Sequence, residues 1–205
     1  CCVSCRQVAH LTHPDLHVVV PATRGETENP DRMAALLAAY AGDRYHQPFG
    51  GAGESIGIDR VRALKEEAAK APVCGTRRVI VLVGADRMTE QAAQAALKLV
   101  EEPPPETILV LAAGEATDIL PTLVSRCQRV CVPPLGRERL HRVLVGEFQI
   151  PGEEAYVLAA LSGGSLGRAL ELRGLDVRGL RDRVRAAFDF PPDSATAPAD
   201  VERRV

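Results

Sequence analysis

The sequence predicts an α/β fold with a parallel sheet, followed by a small helical domain. Three apolar runs, HVVV (17–20), RVIVLV (78–83) and TILVLAA (107–113), alternate with segments of helical periodicity, which is typical of parallel strands joined by crossover helices. From residue 134 onward the predicted helices follow one another without a strand. Hydrophobic residues make up 46% and charged residues 25% of the 205 residues, which is an ordinary globular composition.

The first half of the chain contains one strand, a long polar segment and an amphipathic helix. Residues 21–55 are rich in Gly, Pro, Asp, Glu and Asn, which indicates a loop long enough to be an insertion. Within it, DRMAALLAAY (31–40) predicts a short helix, whereas the Gly-rich FGGAGES lacks a lysine and is interpreted as a flexible loop. IGIDRVRALKEEAAKAP (56–72) predicts an amphipathic helix with Asp59 as its cap.

The second half adds two more strands and the helix between them. MTEQAAQAALKLVEE (88–102) predicts a helix with Thr89 as its N-cap, stopped by three prolines that cannot donate a backbone hydrogen bond. TILVLAA is an unbroken aliphatic run, which favours a strand covered on both faces. A short helix with Leu120 and Leu123 follows, and QRVCV (128–132) predicts a further strand in which a cysteine is a small buried hydrophobe.

Charge, hydropathy and cysteine distribution exclude several classes of protein. A net charge of −2 argues against binding nucleic acid by bulk electrostatics, so that any DNA contact would come from a local patch or an assembly. No run predicts a membrane span or a signal peptide. The six cysteines are dispersed beyond the first few residues, which favours a reduced, cytoplasmic protein over a secreted one. A start at Cys1 rather than Met indicates a fragment or an incomplete gene model.

Arg126 is the residue with the clearest functional potential. It follows a core strand and a short helix, and its guanidinium is always charged and can bind phosphate oxygens bidentately. A surface ion pair is the alternative role. The surrounding pattern LKxxEEPPPxTxxxL…LPTxxSRCQ, together with HPDL (13–16), closely resembles the AAA+ subunits of bacterial DNA polymerase III clamp loaders. In that family the arginine of SRC completes the ATP site of the adjacent subunit, which implies a trans arginine finger at Arg126.

The acidic residues that ATP hydrolysis requires are missing. No G-x-x-x-x-G-K-S/T phosphate loop occurs in the sequence. Where ATP-hydrolysing members of the family carry an Asp-Glu pair after the strand, this chain has Val83 and Gly84, and Asp86 is interpreted as a capping or surface acid. The strand TILVLAA ends in alanines where such relatives place a polar sensor residue. In these departures the chain resembles the delta-prime subunits of the family, and we expect no ATPase activity from this chain itself.

The resemblance also implies a domain division and a set of partners. Residues 1–133 correspond to a partial AAA+ core, P-loop NTPase-like but without its phosphate-loop region, with a cysteine-rich module at its start, and residues 134–180 correspond to a helical lid. Residues 181–205 are predicted to be a helix end and mobile tail, because the end of the chain is rich in Pro, Asp and Ala. The expected partners are the gamma/tau and delta subunits, with the sliding clamp and primer-template DNA reached through the assembly. ATP is expected only at the neighbouring subunit.

Two further candidate sites, one for zinc and one for phosphate sensing, have weaker support. Cys2 and Cys5 form a C-x2-C pair to which His10 and His13 could add ligands, but one such pair is half of a tetrahedral zinc site. The resemblance implies that the two earlier zinc ligands lie upstream, and it favours a structural role for His13. SGGSLGRAL resembles the lid segment whose arginine, here Arg168, senses phosphate; a solvated arginine at a helix joint is the alternative.

Two other functions remain open at this point. The first is an active gamma/tau-like ATPase whose phosphate loop lies upstream, although Val83 and Gly84 argue against it. The second is a zinc-binding or redox module built on the cysteine pair.

Overall fold

The structure is a computed structural model, and it describes residues 2–43, 45, 53–114 and 116–175. Contacts divide the chain into two compact units, Cys1–Pro133 and Pro134–Val205. The predicted tail lies outside the described residues, as does most of the predicted FGGAGES loop. Within the described part, no helix has the combination of length and hydropathy that crossing a bilayer demands.

A sheet of three parallel strands forms the centre of the first unit, and it confirms the predicted fold class. The strands lie in the order β1-β2-β3: Leu16–Val19, Arg78–Val83 and Thr107–Ala112. In their register, Leu82 of the central strand lies opposite Val19 on one side and Leu111 on the other.

Six α-helices are described in the first unit, and they include the three predicted before the third strand. Their bounds are α1 Val3–Ala9, α2 Arg24–Thr27, α3 Pro30–Gly42, α4 Ile58–Ala68, α5 Glu90–Glu101 and α6 Pro121–Val124. Thr89 caps α5 as predicted, since its hydroxyl accepts from the N–H of Ala92 at 3.2 Å. The predicted cap of α4 is wrong. Gly57 occupies that position, and Asp59 already lies in the first turn, where an acid interacts favourably with the helix dipole.

The main core lies between the sheet, α4, α5 and α6. It is built from buried aliphatic side chains and alanines, which suits a chain with 3% aromatic residues. Its fully or almost fully buried members include Val61, Leu64, Ile80, Leu82, Ala92, Ala96, Leu99 and Leu123. Because α5 and α6 both insert side chains into this cluster, the ends of the two helices are fixed relative to the hydrophobic core.

The prediction that the third strand is covered on both faces is wrong for the described residues. Burial alternates along β3, and Ile108 and Val110 each remain 42% exposed. On that face, Leu36 and Leu37 of α3 pack near β1 and β2 with Val83. Helix α3 therefore covers only part of the second face, and β3 lies at the edge of the described sheet.

The predicted strand QRVCV is also wrong. Residues 128–132 do not form a strand, and the side chains of Val130 and Val132 are 77% and 85% exposed. Cys131 is exposed rather than buried. The β-propensity of such a run becomes a strand only when a neighbouring strand pairs with it, and none does so among the described residues.

The second unit contains three described helices. They are α7 Arg137–Gly146, α8 Gly152–Leu161 and α9 Leu166–Arg173, with a core that includes Leu140, Leu144, Ile150, Leu158 and Ala169. Gly164 adopts φ +85°, and a Cβ there would lie 2.6 Å from the carbonyl oxygen of Leu135. Only glycine fits that joint, because both the backbone conformation and the close approach exclude a side chain.

Candidate functional site

Arg126 lies on the turn that extends α6. Pro121 begins this helix at a position that needs no N–H donor, and Leu123 is fully buried in the core. Helical hydrogen bonding continues past the helix, because the N–H of Arg126 donates to the carbonyl of Leu123 at 3.1 Å. The backbone of Arg126 is thereby anchored while its side chain stays 40% exposed.

The guanidinium of Arg126 is held on two of its three nitrogens. Its Nε lies 2.6 Å from Oε1 of Glu101, and its Nη1 donates to the carbonyl of Thr122 at 2.9 Å, with the hydroxyl of Ser125 3.4 Å away. Within the part of the chain that the structure describes, Nη2 has no hydrogen-bond partner. The ion pair that was the alternative role of Arg126 is therefore present, and it leaves Nη2 of this partly exposed guanidinium without a partner among the described residues.

Glu101 is the residue of this site that the sequence interpretation missed. It is the last residue of α5, immediately before Glu102 and the three prolines. The motif EEPPP stands out in the sequence, but helical periodicity cannot show which of its two carboxylates reaches the turn after α6. That contact joins residues 25 positions apart, which the packing of α5 against α6 decides.

The carboxyl end of β2 carries no acid where an ATP-hydrolysing subunit would need one. Val83 ends the strand, Gly84 follows with φ +67°, and Ala85 is buried. Asp86 comes next, in a short 3-10 helix, and its Oδ1 accepts from the N–H of Gly114 at 3.4 Å. Asp86 thus links the end of β2 to the residues after β3. The described residues contain no group of three or more His, Cys, Asp or Glu side chains that could hold a metal ion.

Cys2 and Cys5 lie together at the start of α1. Cys2 is the N-cap, its Sγ accepts from the N–H of Cys5 at 3.4 Å, and the two sulfur atoms are also 3.4 Å apart. The Cys5 N–H lowers the pKa of the Cys2 thiol, whereas hydrogen bonding to Cys2 raises the pKa of the Cys5 thiol. Tetrahedral zinc with Zn–S bonds of about 2.3 Å separates two thiolates by about 3.8 Å, so a small adjustment of this pair would form half of such a site.

The two histidines near this pair do not complete the site. Nδ1 of His13 accepts from the N–H of Asp15 at 3.1 Å, which gives it the structural role expected within HPDL. His10 is the C-cap residue of α1. No third ligand joins the cysteine pair among the described residues, so the pair alone cannot close a metal site.

Arg168 lies in the second unit, in the first turn of α9. Ser165 caps this helix as predicted, accepting from the N–H of Arg168 at 3.2 Å. The side chain of Arg168 is largely exposed and its Nη1 lies 3.6 Å from Oε2 of Glu171. The phosphate-sensing role of Arg168 stays a prediction.

Comparison with known proteins identifies the family. Residues 1–136 match the family model described as DNA polymerase III, delta subunit. The chain is 34% identical over 187 residues to DNA polymerase III subunit delta' of Pseudomonas aeruginosa, covering 89% of this chain and 48% of that protein. The chain therefore spans about half the length of this relative.

The gamma/tau subunits and solved structures give more limited matches. DNA polymerase III subunit gamma/tau of Mycobacterium tuberculosis is 34% identical over 116 residues, which is 55% of this chain and 20% of that protein. The crystal structure of a DNA polymerase III gamma subunit-related protein from Thermotoga maritima aligns at 24% identity with a TM-score of 0.42, covering 88% of this chain and 66% of that one. By its family model and its delta' relatives, the chain belongs to the delta-prime family of DNA polymerase III subunits.

Proposed function

We propose that this chain is part of a clamp-loader subunit that does not hydrolyse ATP itself and supplies Arg126 in trans to ATP bound by a neighbouring subunit. The observation that carries the proposal is the arrangement of Arg126, whose backbone is anchored next to the core while its side chain is 40% exposed and its Nη2 has no partner among the described residues. Membership of the delta-prime family supports the setting.

The chemistry required of Arg126 is charge stabilisation. Phosphoryl transfer develops negative charge on the oxygens of the transferred group, and a trans arginine contributes on the order of 10³–10⁵ in rate in comparable phosphoryl-transfer systems. A guanidinium suits this role because it cannot lose its proton and its donors match phosphate oxygens in a plane. The free Nη2 of Arg126 offers two such donors.

The subunit's own hydrolysis is proposed to be absent. Metal-assisted attack on ATP needs a carboxylate that binds Mg²⁺ or orients water, and Val83, Gly84 and Ala85 offer none at the end of β2. ATP turnover by the isolated complete subunit is the measurement. Turnover that disappears on mutating the subunit's own residues would favour the gamma/tau-like alternative instead.

The proposed partners follow from the same role. Gamma/tau subunits would hold the ATP that Arg126 contacts, and the delta subunit would complete the ring. The sliding clamp and primer-template DNA would be reached through the assembly, since a chain of net charge −2 has no bulk electrostatic attraction for DNA. A role in replication also places the proposed site of action in the cytoplasm.

A zinc site at Cys2 and Cys5 is a separate proposal. The pair would supply two thiolate ligands, and the metal would fix the start of α1 by tying its first turn to ligands elsewhere in the subunit. The Cys5 N–H already favours the thiolate form of Cys2, the form that binds metal.

The decisive experiment measures DNA-stimulated ATP turnover by a reconstituted loader. Arg126→Ala is expected to lower turnover by at least about 10³-fold at the site it serves, with assembly by sizing unchanged because the side chain is exposed. Arg126→Lys is expected to rescue little, since an ammonium cannot reproduce the planar fork. Arg129→Ala, an exposed arginine three residues away, is the matched control and should keep wild-type turnover. Wild-type turnover by an assembled Arg126→Ala complex would refute the proposal.

A further inference from the structure

We infer that Glu101 is a positioning residue for Arg126: it holds the guanidinium by Nε and leaves the Nη2 nitrogen free for phosphate oxygens of a nucleotide on the neighbouring subunit. The inference rests on the proposed function of Arg126 and extends it to a second residue. Glu101 does not contact nucleotide in this arrangement, and its effect passes through Arg126.

The contact geometry restricts the arginine at two points. Oε1 of Glu101 lies 2.6 Å from Nε in an ion pair, and the main-chain carbonyl of Thr122 accepts from Nη1 at 2.9 Å. An ion pair at one nitrogen and a hydrogen bond at another together restrict the position of the guanidinium. Nη2 is left without a partner among the described residues, so an incoming phosphate meets a guanidinium whose position is already restricted.

Glu101 occupies a position that its own helix disfavours. It is the last residue of α5, where the partial negative charge of the helix dipole favours Lys or Arg, and the neighbouring Glu102 adds a like charge. The local conflict is resolved by a partner outside the helix, Arg126. A residue that breaks a local rule in favour of one tertiary contact is the expected signature of a functional position.

Both side chains stand on rigid supports. Leu99, two residues before Glu101, and Leu123, three residues before Arg126, are buried in the same hydrophobic cluster. Pro103 then prevents α5 from continuing past Glu102. The relative placement of carboxylate and guanidinium is thus set by core packing, which is what a preorganised site requires.

A positioning role predicts a specific kinetic effect. The Glu101–Arg126 pair is about 40% exposed on both sides, so its loss should change stability little. Freeing the arginine to sample other rotamers should instead lower the kcat of the assembled complex by about 10- to 100-fold. The KM for ATP should stay unchanged, because Glu101 does not touch the nucleotide.

The test compares Glu101→Ala with Glu102→Ala in the assembled loader. Glu102 is the adjacent exposed glutamate, and its side chain makes no hydrogen bond or ion pair within the residues described. We expect lower kcat for Glu101→Ala and wild-type kinetics for Glu102→Ala. Glu101→Gln should recover part of the loss, since its amide oxygen keeps a partial negative charge beside Nε. If Glu101→Ala fails to assemble on sizing, the kinetics of Glu101→Gln are compared with those of Glu102→Ala instead.

A double-mutant cycle separates positioning from a general structural role. In the Arg126→Ala background, Glu101→Ala should lower the residual turnover no further, because its effect requires the arginine. An equal further loss in that background would overturn the inference. So would wild-type kcat for Glu101→Ala while Arg126→Ala is impaired, and that result would leave the proposed function standing. Wild-type turnover by Arg126→Ala would overturn both.

Discussion

A Cβ atom on Gly84 would lie 2.8 Å from Cγ of Pro21. Pro21 is fully buried, so it cannot give way, and Gly84 adopts φ +67°, a conformation that side chains disfavour. This residue follows β2 directly, at the point where an ATP-hydrolysing relative would present acid. Any side chain at this position, acidic or not, would conflict with Pro21 and with the left-handed backbone conformation.

Gly84→Ala is expected to destabilise the protein by about 2–4 kcal/mol, the sum of left-handed backbone strain and the contact with Pro21. Gly114→Ala is the matched control, because it also follows a strand of the same sheet and a Cβ there meets nothing within 4 Å. The control should stay within about 0.5 kcal/mol of wild type. The free energy of unfolding in denaturant measures both, and equal losses would contradict the steric explanation.

The carboxylate of Asp15 closes a distant loop, and this contact predicts a pH dependence. It accepts from the N–H groups of Val73, Cys74 and Gly75 at 2.5–2.8 Å. The Val73 hydrogen bond, followed by the other two, lowers the pKa of Asp15 below its usual value. The contribution to stability is therefore present above the unfolded pKa of about 3.9 and is lost as the pH falls through the lower folded pKa.

Asp15→Asn should consequently flatten the acid limb of the stability curve. The free energy of unfolding, measured from about pH 5 down to about pH 3, should fall less steeply for this variant than for wild type. Asp31→Asn, which removes an exposed carboxylate on α3, should reproduce the wild-type slope. A wild-type slope in Asp15→Asn would show that the loop does not depend on the charge.

Arg78 stabilises the end of α4 from inside the core. This almost fully buried arginine donates to the carbonyl of Glu67 in the last turn of α4 and to the carbonyls of Lys70 and Ala71 just after the helix. Arg78→Leu should lower the free energy of unfolding by about 3 kcal/mol. Arg77→Leu, which removes only an exposed pair with Glu106, should cost less than about 1 kcal/mol. Similar losses from adjacent arginines would contradict the assignment.

The zinc proposal predicts a metal content that depends on Cys5. Metal analysis of the complete subunit purified without chelators should find zinc, and Cys5→Ser should remove most of it, since a site short of one thiolate binds weakly. Cys74→Ser, at another exposed free cysteine, should keep the metal. Zinc retained in Cys5→Ser would exclude the site. A zinc-free wild type with oxidised Cys2 and Cys5 would favour the redox alternative.

Much of the fold could be predicted from local sequence. The three parallel strands, the helices at residues 31–40, 56–72 and 88–102 and the caps Thr89 and Ser165 all follow from signals carried by neighbouring residues. Periodicity, proline stops and capping hydroxyls act over a few positions along the chain. The absence of acidic residues at the end of β2 could also be seen in the sequence, because identifying the residue at a position requires no knowledge of the tertiary structure.

Tertiary structure alone decided the features that depend on what lies next to an element. Residues 128–132 have strand propensity but no partner strand among the described residues, and β3 is half exposed because α3 covers only the other two strands. The contact of Glu101 with Arg126 depends on how α5 packs against α6. Sequence pattern determines which groups a segment can offer, whereas packing between distant segments determines which groups meet.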